Sequence, residues 1–214
     1  LIPHMSEYGS QFITIALVHL LAVASPGPDF AMVLRQSIAY GRRIGSYTAC
    51  GIGAGILVHV GYCLVGIAMV LSQSATLFFI TKMIGAGYLI YIGISALRAV
   101  PYGPLEFSCR AAGTMTFFAA FRRGVLTNAL NPKATLFFLF LFTVIIDPAT
   151  PLIIQAGYGI YMAAATAVWF VGVAFFFGRP AIRNRFLRLG HWVDRGMGII
   201  LIALGARLIF ATLP

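Results

Sequence analysis

Ser25-Pro26-Gly27-Pro28-Asp29 interrupts an apolar run covering residues 12–40. Asn131-Pro132-Lys133 does the same to a second run, 124–146. Each motif sets a helix breaker beside an ionisable side chain, where a membrane helix ordinarily carries neither. Working outward, four further apolar stretches occupy 44–71, 77–97, 152–178 and 196–213. Runs of this length read as spanning helices, because lipid forces backbone hydrogen bonds to close within the segment.

Composition agrees. Of the 214 residues, 60% are hydrophobic and 9% charged, with a mean hydropathy of +0.94. A soluble domain carries roughly 25% charged residues. The chain therefore reads as one integral membrane domain of six helices over residues 5–214. Residues 1–4 read as a remnant ahead of an initiator Met5, with no cleavable leader evident.

The net charge of +10 does not point to nucleic acid, because the basic residues cluster in short segments between apolar runs. Arg35, Arg42 and Arg43 lie at and just beyond the end of the first run. Arg98, Arg110, Arg122 and Arg123 follow the third, and Arg179, Arg183, Arg185, Arg188 and Arg195 the fifth. The opposite connections hold Asp147 and little else, apart from Lys82 and Arg207 near span ends. The positive-inside rule then puts the three basic connections in the cytoplasm and both termini outside. Cys50, Cys63 and Cys109 form no CxxC pair and no metal spacing. The first two read as small packing residues.

The connection 99–121 carries Pro101, Gly103 and Pro104 and divides the chain into repeat A, 12–98, and repeat B, 122–213. The halves look like copies. Gly85-Ala86-Gly87 in the third run is echoed by Gly196-Met197-Gly198 in the sixth, and the first and fourth each carry proline followed by charge. An odd number of crossings inverts the second copy, which predicts a 3+3 inverted repeat. Gly41 and Gly45, and Gly51 and Gly55, have the spacing of close helix-packing seams.

Depth brings the two motifs together. Residues 12–24 give about 20 Å of helix from the outer side, and the stretch from Arg123 to the second motif gives roughly 12 Å from the inner side. Both motifs fall in one layer of a core about 30 Å thick. New half-helices are expected to start at Pro28 and Pro132, each exposing free N–H groups and a positive dipole end. Such ends take carboxylates.

Candidate substrate and coupling residues are thus Pro26, Gly27, Pro28, Asp29, Asn128, Asn131, Pro132 and Lys133. A zwitterion inserted between Asp29 and Lys133 would place its ammonium on the first and its carboxylate near the second. Asp29 could also take a proton in competition with that ammonium. The competing reading is a structural ion pair between the two broken spans. Asn131 suits capping as well as substrate contact. His19 and His59 are candidate proton relays, or simple helix–helix hydrogen bonders. Trp169, Tyr88 and Tyr91 read as packing, and Asp194 as a solvated loop charge or a cap.

At these residues the chain resembles the lysine exporter family (LysE/RhtB), most nearly its threonine-efflux branch. The carriers are Ser25-Pro26-Gly27-Pro28-Asp29-Phe30, Gly124-Val125-Leu126-Thr127-Asn128, Asn131-Pro132-Lys133-Ala134 and Trp192-Val193-Asp194. The resemblance covers nearly the whole chain. It implies a bacterial inner-membrane exporter of small amino acids driven by proton antiport, with no cofactor and no catalytic or metal residue. Its partners would be the amino acid, the proton and the bilayer, and a homo-oligomer is compatible with it. A channel is the alternative. An intramembrane enzyme is a weaker one, since no HExxH, GxSxG or CxxC occurs.

Overall fold

A computed structural model describes residues 2–25, 27–73, 75–100, 114–147, 149–176 and 180–210. Pro26, Cys109, Arg110, Arg179 and the turn-rich segment 101–113 lie outside the described residues, as do the side chains of Lys82, Tyr88 and Arg207. Every described element is helical: α1 Ile2–Ala24, α2 Pro28–Tyr40, α3 Arg42–Gln73, α4 Ala75–Leu97, α5 Phe117–Ala129, α6 Pro132–Phe140, α7 Leu152–Phe176 and α8 Pro180–Phe210. A π-helical turn, Leu141–Ile145, extends α6.

The two prolines act where their chemistry requires. Pro28 and Pro132 open α2 and α6, where a missing N–H costs nothing. Tyr8–Ala24 bends by 55° into Pro28–Tyr40, and Phe117–Ala129 by 58° into Pro132–Thr143. Arg42–Gly66 and Leu152–Phe176 are long and apolar enough to cross a bilayer unbroken, and each bent pair passes the same test when taken as one span. The chain is thus an all-helical, multi-pass membrane protein.

Helices α3 and α7 form the frame. Above the breaks, Ile15 and Val18 of α1 pack with Ile56 and Val60 of α3, Phe138 of α6 and Met162 of α7. Below them, Phe30, Val33 and Leu34 of α2 pack with Ile52 of α3 and Phe170 and Val173 of α7. The broken layer lies between these two apolar clusters.

Glycine sets how closely the helices meet. A methyl on Gly51 would stand 2.0 Å from the Phe121 carbonyl oxygen, and one on Gly124 would stand 2.1 Å from that of Thr48. Helices α3 and α5 therefore touch backbone to backbone. Gly93 and Gly198 do the same between α4 and α8. The seam expected at Gly51 and Gly55 is present, but Gly41 is different. Its φ of 89° ends α2, with its N–H on the Ser37 carbonyl at 3.0 Å, and no neighbour lies within 4 Å of a Cβ built there. It is a turn residue that only glycine adopts readily.

Three further expectations change. Helix α5 starts at Phe117, capped by Thr116, so the end of the long connection is helical. Helix α8 starts at Pro180 rather than at residue 196, so Arg183, Arg185, Arg188 and Arg195 lie along a helix and not in a loop. Cys63 is buried as expected, but Cys50 is exposed, and so is Tyr91.

Candidate functional site

The two helix breaks open onto one cavity. Its polar lining is Ser25, Gly27, Asp29, Asn128, Asn131 and Lys133, with His19 and Thr166 further along. Its apolar wall includes Ile56, Phe137, Phe138, Phe170 and Leu201. Its volume is about 70 Å³, space for a few waters or a small solute.

Asp29 follows Pro28 in the first turn of α2, at the positive end of that half-helix. Its Oδ2 accepts from Asn128 Nδ2 at 2.9 Å and from Asn131 Nδ2 at 3.2 Å. Among the described residues, no donor reaches Asp29 Oδ1, which is buried. An acceptor left open there is costly unless a donor visits it.

Asn131 caps its helix, one of the two roles expected of it. Its Oδ1 caps α6 by accepting from the Lys133 N–H at 3.0 Å, while its amide reaches Asp29. Asn128 lies in the last turn of α5, and its carbonyl takes the His59 ring at 2.9 Å. A Cβ added to Gly55 would meet the Asn128 Cβ at 2.8 Å, so α3 fixes this side chain from behind.

Lys133 differs from the simple pair expected with Asp29. Its Nζ donates to Ser25 Oγ at 2.7 Å and approaches the Ser25 carbonyl oxygen at 3.4 Å. Ser25 Oγ in turn donates to Asp194 Oδ1. Lys133 thus lies in the field of two carboxylates, Asp194 and Asp29. Asp194 is buried on α8 and corrects the reading as a solvated loop charge or cap. The signal that would have found it was the Trp192-Val193-Asp194 motif, together with the continuation of α8 back through it.

The histidines divide. His19 lines the cavity and meets Thr166 Oγ1 at 3.0 Å, tying α1 to α7. His59 is fully buried outside the cavity lining, stacked on Phe138 and held by Tyr62 OH at 2.8 Å and the Asn128 carbonyl. It joins helices. Trp169 is half-buried and packs beside the lower cluster. Among the described residues, no three His, Cys, Asp or Glu gather as a metal-ligand set.

Residues 20–212 match the family model of the LysE type translocator. The chain belongs to that family. It is accordingly a transporter and not an enzyme. It is 31% identical over 205 residues to a threonine efflux protein of Salmonella typhi, covering 94% of this chain and 98% of that one. It is 30% identical to the threonine efflux protein of Escherichia coli strain K12, with the same coverage. A leucine efflux protein of Salmonella choleraesuis is 33% identical over 166 residues, 75% of this chain and 74% of that one. No solved structure matches the chain. Within the LysE framework, Ser25, Gly27, Asp29, Asn131 and Lys133 of the two motifs line the cavity together with Asn128, while Pro28 and Pro132 open the half-helices beside it and Pro26 lies outside the described residues.

Proposed function

We propose that this LysE-family chain exports small neutral amino acids of the threonine or leucine kind from the bacterial cytoplasm, in exchange for protons. The observation that carries the reading is the open acceptor Asp29 Oδ1 in the same cavity as the donor Lys133. An ammonium donates three hydrogen bonds and suits the first, and a carboxylate suits the Lys133 end and the start of α6. The apolar wall of Ile56, Phe137 and Phe170 suits an uncharged side chain. Relatives named for threonine and leucine efflux support this substrate class.

Asp29 is the coupling group in this reading. A proton and the substrate ammonium compete for one carboxylate, so that binding either releases the other. The architecture that serves the exchange is the inner-membrane 3+3 inverted repeat, with both termini outside and α1–α4 and α5–α8 as its halves. The two matched bends support it. Efflux of radiolabelled threonine and leucine from proteoliposomes under an imposed pH gradient tests the function. Accumulation against a gradient that collapses with an uncoupler is expected. Passive equilibration insensitive to the pH gradient would instead establish a channel.

A further inference from the structure

Asp194 takes no part in the exchange just described, yet it is buried on α8 and bonded into the same polar layer. The directions of its hydrogen bonds are fixed by chemistry. The Lys133 ammonium only donates, an ionised carboxylate only accepts, and the Ser25 hydroxyl has one hydrogen to give. Ser25 therefore accepts from Lys133 and passes its own hydrogen to Asp194. The chain Lys133–Ser25–Asp194 joins the start of α6, the break after α1 and the middle of α8.

Asp194 sits where a carboxylate is wanted. It faces Lys133 across one hydroxyl, whereas Asp29 is held by Asn128 and Asn131. A substrate carboxylate reaching Lys133 meets a group of its own kind already serving that ammonium. We propose that Asp194 is a resident stand-in for the substrate's carboxylate. It satisfies Lys133 through Ser25 while the site is empty, and is displaced when the amino acid binds.

Two consequences follow. Binding loosens the tie between α8 and the α1 break, so α8 registers occupancy. Departure of the amino acid is assisted, because Ser25, held by Asp194, returns to Lys133 as the substrate carboxylate leaves. Asp194 is in this sense a positioning residue. It reaches the substrate's partner through Ser25 and does not touch the substrate.

The inference rests on the proposed reading of Lys133 as the carboxylate contact, and the test separates the two. Binding of L-threonine and L-leucine, and of their carboxyl-blocked amides, is measured by calorimetry on the purified full chain in nanodiscs. The wild type should bind each free amino acid more tightly than its amide; no preference would overturn the Lys133 reading and this inference with it. In Asp194→Asn the free amino acids should bind about tenfold more tightly, since a charged hydrogen-bond competitor is gone. The amides should be unchanged. Proteoliposome efflux should show a lower half-saturation and a lower maximal rate, because release has lost its assistant. Ser25→Ala removes the bridge and leaves both charges, and should move affinity in the same direction by a smaller factor. Equal weakening of acids and amides in both variants would make the network purely structural and overturn the proposal. So would acid affinities that do not change while the wild type retains its preference. If Asp194→Asn does not fold, Ser25→Ala decides alone by the same criteria.

Discussion

Asn128 donates its side-chain amide to Asp29 over 2.9 Å, so the last turn of half-helix α5 holds the carboxylate in the first turn of half-helix α2. Half-helices from two different broken spans are thereby locked at the layer where each span is interrupted. Removing Asn128 leaves Asp29 with one amide donor in place of two. Asn128→Ala should weaken binding of the transported amino acid by roughly tenfold, the scale of one hydrogen bond to a charged group. Calorimetry with threonine and leucine measures it; unaltered affinity would separate the Asn128–Asp29 bond from substrate binding.

Asp29→Asn keeps the shape of the side chain and its two amide neighbours but removes titration. Proton-driven efflux should be lost while the protein still inserts and elutes as a single species. His19→Gln should keep an efflux rate that responds to the pH gradient, because His19 meets Thr166 and not the carboxylate. Loss of the pH response in His19→Gln with its retention in Asp29→Asn would transfer the proton to the histidine.

Lys133→Met strands two carboxylates, Asp29 and Asp194, where one counter-ion served both. Breaking a buried charge network from one side costs about 3–5 kcal/mol. The variant should unfold at a markedly lower temperature in detergent. Lys133→Met combined with Asp194→Asn should recover much of that loss, yet neither protein should transport. A combined variant no more stable than Lys133→Met would show that Asp194 draws little on Lys133.

Gly51→Ala drives a methyl into the Phe121 carbonyl and should force α3 from α5, at about 1–3 kcal/mol. Gly61→Ala is the matched control, since nothing lies within 4 Å of a Cβ there. Thermal unfolding of the two variants side by side should show a drop for the first alone. Equal melting temperatures would refute the close crossing.

Orientation is tested by single cysteines in a background lacking Cys50, Cys63 and Cys109. Labels at Asp147 should react from outside and labels at Arg110 from the cytoplasm. The reverse pattern would invert the assignment of both termini.

The breaks were legible in the sequence because proline acts locally: Pro28 and Pro132 carry their consequence in their own rings. The cap at Asn131 was legible for the same reason, as a residue read with its next neighbours. Asp194 was not, because what makes it matter lies 169 residues away at Ser25. A carboxylate at the margin of an apolar run looks solvated until the fold brings a hydroxyl to it. Gly41 was misread through spacing alone. Its role comes from a positive φ, which spacing does not encode.

The contact of Gly51 with Gly124 has a bearing on how such a protein diversifies. Helices α3 and α5 meet through peptide units, which every residue shares, so the distance between them does not depend on the side chains around the cavity. Ile56, Phe137, Phe170 and Leu201 line that cavity and can be exchanged for others without moving this crossing. A chassis of fixed dimensions with a replaceable lining permits substrate preference to drift while the charges at the two breaks stay in register.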